Sequence, residues 1–267
     1  MSPARNLGSS GDKPGGAADS AGQPWAGRAF DPNPSTDDDG AASPQLREAL
    51  DRFRNRDAGE ETVVDAVRTA RLLIPLVAEL GEGGEGDHGL AIDKSQELSI
   101  ITVAGPDGRR VLPVFSSAEA MASWDAAARP VPADGVRVAL AAAQDNTDLV
   151  ILDPTSEREF LIRRPALWAI AQSAPWTPSY ASRTVARAFE ESIGTELSVL
   201  GVSLAAGDPD ARMAGPELVV RLELVTGLTQ AELDATLSRL AARWSANDAI
   251  ATGVDSLRVQ LVGSAPV

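Results

Sequence analysis

The apolar residues of this chain fall into short blocks, none approaching the roughly 20 residues that cross a bilayer, and the blocks alternate with segments of helical period. Leu72–Ala78, Leu98–Val103, Val111–Phe115, Leu149–Leu152 and Phe160–Ile162 are of strand length. Leu46, Leu50 and Phe53 recur at helical spacing, as do Val63, Val64 and Val67, and then Leu233, Leu237, Leu240 and Trp244. Such a chain has to stack helices on sheets. We expect an α/β (α+β) protein: a mixed-sheet N-terminal domain with flanking helices, then a small αββαβ domain.

Residues 1–42 are Gly, Pro, Ser, Ala and Asp without an apolar period, so a disordered tail is expected there. Order should begin at Ser43-Pro44, a good N-cap followed by a good first helical residue. The N-terminal domain is read as 43–173 and the C-terminal one as 182–267. Between them, 174–181 holds Pro175 and Pro178 and reads as a linker. Pro75 cannot donate to a ladder, so its strand is expected at an edge or a bulge. Pro106-Asp107-Gly108 predicts a hairpin turn. Ser116 and Glu119 have capping-box spacing, as do Thr229 and Glu232, the latter with Leu228 and Leu233 as a staple. Asp134 predicts a helix burying Val136, Leu140 and Ala143.

Charge narrows the function. Asp and Glu number 38 against 24 Lys and Arg, a formal −14. Such a surface repels phosphate backbones and anionic membranes, so neither nucleic acid nor membrane is an expected partner. There is no cysteine, which excludes disulfides, thiol nucleophiles and zinc-thiolate sites. Met1–Ser20 lacks the basic-then-apolar pattern of a signal peptide, and a cytoplasmic location is expected.

Several residues invite chemistry. Gly81–Gly86 matches G-x-G-x-x-G after a strand, but Glu82, Glu85 and Asp87 would repel a pyrophosphate and no helix follows. His88 is the only histidine; beside glycines it is poorly placed for a relay or a metal. Lys94, between Asp93 and Ser95, reads as an ordinary exposed ammonium. No catalytic residue, cofactor or metal is therefore expected. Asp153, closing a buried strand, could serve a ligand, although Pro154 favours a turn. Trp124 and Arg129, beside Phe115, could form a recognition surface or pack as a core aromatic with an Arg stem along it. Trp25 and Phe30 stand out in a polar tail and could dock a partner or fold back.

Residues Arg71–Val77, Lys94–Leu98, Gly108–Ser117, Trp124–Pro132 and Leu149–Pro154 together resemble the N-terminal domain of the SseB family over about 43–173. The tail is similar to the smaller C-terminal domain of many members, and Trp25–Pro34 with Asp37–Gly40 looks like the leader of actinobacterial relatives. The resemblance implies a cytoplasmic protein of largely unknown function and supplies no catalytic residue. The leading expectation is a non-enzymatic binding or regulatory protein whose partner is another protein. Its candidate interaction residues are Trp25, Phe30, Phe115, Trp124, Arg129 and Asp153. The alternatives are a small-ligand sensor or enzyme with a pocket near Asp153, and a secretion-associated accessory protein or chaperone.

Overall fold

The computed structural model describes residues 39–79 and 97–263. The described residues from Gly40 onward form one compact unit. The first half begins with helices α1 (Pro44–Arg54) and α2 (Glu60–Thr69) and strands β1 (Arg71–Glu79), β2 (Glu97–Ile100), β3 (Val103–Ala104) and β4 (Arg110–Val114). It continues through α3 (Ala118–Trp124), β5 (Arg129–Asp134), α4 (Gly135–Gln144), β6 (Leu149–Leu152), β7 (Phe160–Arg163) and α5 (Arg164–Ala171). A 3₁₀ turn, Ser179–Ala181, leads to α6 (Arg183–Ile193), β8 (Val199–Ala206), β9 (Leu218–Leu224), α7 (Gln230–Ser245), α8 (Asp248–Gly253) and β10 (Leu257–Gly263). The fold is α+β, as the two periods require. No helix among the described residues is long and apolar enough to cross a membrane.

Two sheets build the first half, in orders β2-β1-β5 and β3-β4-β6-β7. Among the described residues a single bridge joins them: Leu73 and Phe115 exchange both backbone bonds, at 2.8 and 2.9 Å. β1 is therefore a central strand, which corrects the edge placement drawn from Pro75. The reason is alternation. Leu73 spends both backbone groups on Phe115, so Leu72, Ile74 and Leu76 face β5, and Pro75 faces the gap between that bridge and the β2 ladder. Pro130 and Pro132, opposite Pro75 and Leu73, likewise point their nitrogens out of the ladder. Sequence reasoning missed β5 because those prolines argue against a strand.

Three further expectations need correction. The apolar run Leu98–Val103 is divided: β2 pairs with β1, and only β3 pairs with β4 across the turn at Gly108. Ser117 rather than Ser116 caps α3, accepting from the Ala120 N–H at 3.1 Å, because Ser116 is bound elsewhere. In α4 the buried stripe is Gly135, Val138, Ala139 and Ala142, while Leu140 is 49 % exposed and Ala143 is exposed. Small residues let α4 approach the end of α2.

The main core of this half packs α1, α2, α4 and α5 on one side of the sheets through Leu50, Phe53, Val67, Leu112, Val150, Leu152, Phe160 and Ile170. The second half has its own core. Phe189, Leu222, Leu240, Trp244 and Ile250 join α6, α7 and α8 to the sheet β10-β9-β8. Thr229 and Glu232 form the capping box of α7. α8, capped by Asn247, lies between α7 and β10, an element beyond the expected αββαβ order. β10 runs parallel to β9, which the α7–α8 crossover permits.

A Cβ added at Gly135 would overlap the Val67 carbonyl oxygen. Helix propensity alone favours Ala over Gly by about 1 kcal/mol. The clash is with backbone, so Gly135→Ala should instead destabilise by about 1–3 kcal/mol in urea unfolding.

Candidate functional site

A buried charged cluster lies where the two halves meet. Arg163 ends β7, an apolar strand, and its side chain is 6 % exposed. Its Nη2 donates to Asp208 Oδ2 at 2.7 Å and to the Gly215 carbonyl at 2.9 Å. Its Nη1 donates to Asp255 Oδ2 at 3.2 Å and Ser256 Oγ at 3.3 Å. Arg109, from the β3–β4 turn, donates to both Asp255 oxygens at 3.0 Å and through Nε to Asp107 at 2.7 Å. Two arginines of the first half thus grip two carboxylates of the second.

The remaining members surround that grip. Asp208 also accepts from the backbone N–H groups of Met213, Arg212 and Ala214. Glu217 is buried and accepts from the Asp255 N–H. The buried Ser179 hydroxyl faces Glu217 without closing a hydrogen bond of good geometry. Tyr180 donates its hydroxyl to Glu60 Oε1 at 3.0 Å, tying the 3₁₀ turn to the start of α2.

Acids outnumber bases here. The Glu60 and Glu217 carboxyls are buried near Arg163, and burial favours the protonated carboxyl. Burial pushes Glu60 up to about 7 from 4.5; the Tyr180 hydrogen bond opposes this and the Glu217 charge adds to it. Burial likewise raises Glu217. Burial and the neighbouring Glu60 charge raise the Tyr180 phenol.

The residues singled out in the sequence lie elsewhere. Asp153 is buried at the end of β6 with φ +46°. Its carboxylate accepts from the Ser116 N–H at 2.7 Å and the Ser116 hydroxyl at 2.6 Å, and its N–H donates to the Val114 carbonyl. Burial raises its pKa despite those bonds. It begins a turn and staples the strand ends of β4 and β6 together. Phe115 is fully buried, so it presents no surface for recognition; it packs against Trp124 with ring centroids 5.3 Å apart. Trp124 is half-buried and Arg129 is exposed. Trp25, Phe30, Gly81–Gly86, His88 and Lys94 lie outside the described residues.

Sequence reasoning missed the junction because its members are scattered from Glu60 to Ser256. One signal was available: Arg163 closes a strand otherwise made of Phe160, Leu161 and Ile162, and a buried arginine demands acidic partners. Among the described residues, no group of three or more His, Cys, Asp or Glu side chains could hold a metal ion.

The raised carboxyls make stability depend on pH. The folded chain holds Glu60's proton between 4.5 and about 7, where the unfolded chain does not. Stability should therefore rise as pH falls through that window. Glu60→Gln, which keeps an acceptor for Tyr180, should raise stability at pH 8 by about 1–3 kcal/mol and flatten the slope. Urea midpoints of both proteins at pH 5.5 and 8 check this.

Residues 46–169 match the family model described as the SseB protein N-terminal domain. No curated protein and no solved structure matches the chain. The matched segment runs from α1 to α5 and contains Glu60, Arg109, Asp153 and Arg163, whereas Asp208, Glu217 and Asp255 follow it. Residues 46–169 are thus an SseB N-terminal domain.

Proposed function

We propose that this is a cytoplasmic, non-enzymatic binding or regulatory protein that acts through contacts with another protein, and that a partner segment adds to the outer edge of β10, which no strand among the described residues covers. Residues 182–267 would then be the companion domain that presents this edge.

A contrast between two edge strands carries the reading. β5 and β10 each end a sheet. On β5 the backbone positions that face outward include Pro130 and Pro132, which have no N–H to offer, so strand addition there is blocked. β10 has no proline. Ser256 directs its carbonyl to Leu218 of β9, so by alternation Leu257, Val259 and Leu261 direct their backbone groups away from the sheet. Leu261 and Val262 are 43 % and 41 % exposed. Beside this edge the open sheet face forms a shallow groove of Gly201, Ser203, Arg221, Glu223, Gln260 and Val262. An extended segment could take main-chain bonds from the edge and side-chain contacts from the groove.

Leu261→Pro removes one outward N–H without touching the ladder to β9. Proteins recovered by the wild-type chain from its host extract should fall about ten-fold with this variant. Arg129→Ala should leave recovery unchanged. Equal recovery with Leu261→Pro contradicts the reading.

A further inference from the structure

The segment between β8 and β9 is a strap that wraps the outer edge of β7. Leu161 donates its N–H to the Ala211 carbonyl at 2.8 Å, on the side of β7 away from β6. Ala211 packs into the helix-side core with Phe160 and Ile162. Two residues later, Met213 lies on the opposite face of the same sheet, against Val111, Leu149 and Leu161. Gly105 leaves room for it: a Cβ there would meet the Met213 side chain. Ahead of these contacts in the chain, Asp208 binds Arg163.

The strap has the character of a docked ligand. Its shape is held internally, by three backbone N–H groups converging on Asp208. Ala211 and Met213 adopt φ +48° and +58°, left-handed conformations that L-residues rarely take. The face that Met213 covers is apolar, formed by Val111, Leu149, Ile151 and Leu161 with Val103. The four-stranded sheet is thus covered by helices on one side and by a loop on the other.

We propose that the edge and outer face of β7 are a peptide-docking site, filled in this structure by residues 208–213 of the same chain. A partner segment of the same chemistry would displace the strap. It needs a carboxylate for Arg163, a main-chain carbonyl for the Leu161 N–H, and an unbranched apolar side chain of methionine size over Gly105. This site is separate from the β10 edge and stands or falls independently of it.

The test uses the full chain with residues 208–213 replaced by Gly and Ser at equal length, and a labelled synthetic peptide of residues 207–216. Fluorescence anisotropy should show the peptide binding the strap-replaced chain at least about ten-fold more tightly than wild type. Met213→Ala in the peptide, or Arg163→Gln added to the chain, should each weaken binding about ten-fold. A folded strap-replaced chain that ignores the peptide overturns the proposal, as does binding indifferent to both changes. If the replacement prevents folding, hydrogen exchange of the wild-type chain decides. The Leu161 amide should exchange about ten-fold faster than that of Ile162, which faces β6. Equal rates would mean that the strap leaves only when the whole half unfolds, and the proposal fails.

Discussion

The buried guanidinium of Arg163 holds the two halves to one another. Placing a charge at the end of an apolar strand costs several kcal/mol in lost hydration, and the cost is recovered only if every donor finds a partner. Asp208, Asp255, Ser256 and the Gly215 carbonyl supply those partners, and all come from the second half. Arg109 shares Asp255 and balances part of the remaining negative charge. Each half has its own main apolar core, and the partners of Arg163, together with Ala211 and Met213 packed on β7, join the second half to the first.

The same arrangement explains why β6 and β7 read as unbroken apolar runs. Leu149–Leu152 and Phe160–Ile162 lack polar alternation because both faces of their sheet are covered. Helices cover one face. On the other, Met213 of the strap meets Val111, Leu149 and Leu161, while Asp208 of the same strap binds Arg163. The prolines serve a complementary purpose. Pro75 sits at a gap in the pairing, and Pro130 and Pro132 disarm an exposed edge, so the sheet order is set as much by where bonds are withheld as by where they form.

Much of the fold was legible because it rests on local rules. Periodicity located most of the helices and strands, and the Thr229–Glu232 cap is where its spacing put it. Errors arose where a tertiary contact overrode a local signal. Ser116 has the spacing of a cap, but Asp153 occupies it. Leu140 is more apolar than Ala139, but only a small side chain fits where α4 meets α2. β5 was hidden because prolines weigh against a strand unless one knows which way their nitrogens face. The junction was least legible. Its carboxylates come from segments far apart in the chain, and no local spacing marks Asp208 and Asp255 as partners of one arginine.

If Arg163 joins the halves into one cooperative body, their unfolding is coupled. Hydrogen exchange through a urea titration, read separately on peptides from β6–α5 and from β9–α7, tests this for the native chain and for Arg163→Gln. In the native chain both sets should open at the same urea concentration. In the variant the two transitions should separate, leaving one half protected while the other exchanges. Coincident transitions in Arg163→Gln would contradict the claim that this cluster couples them.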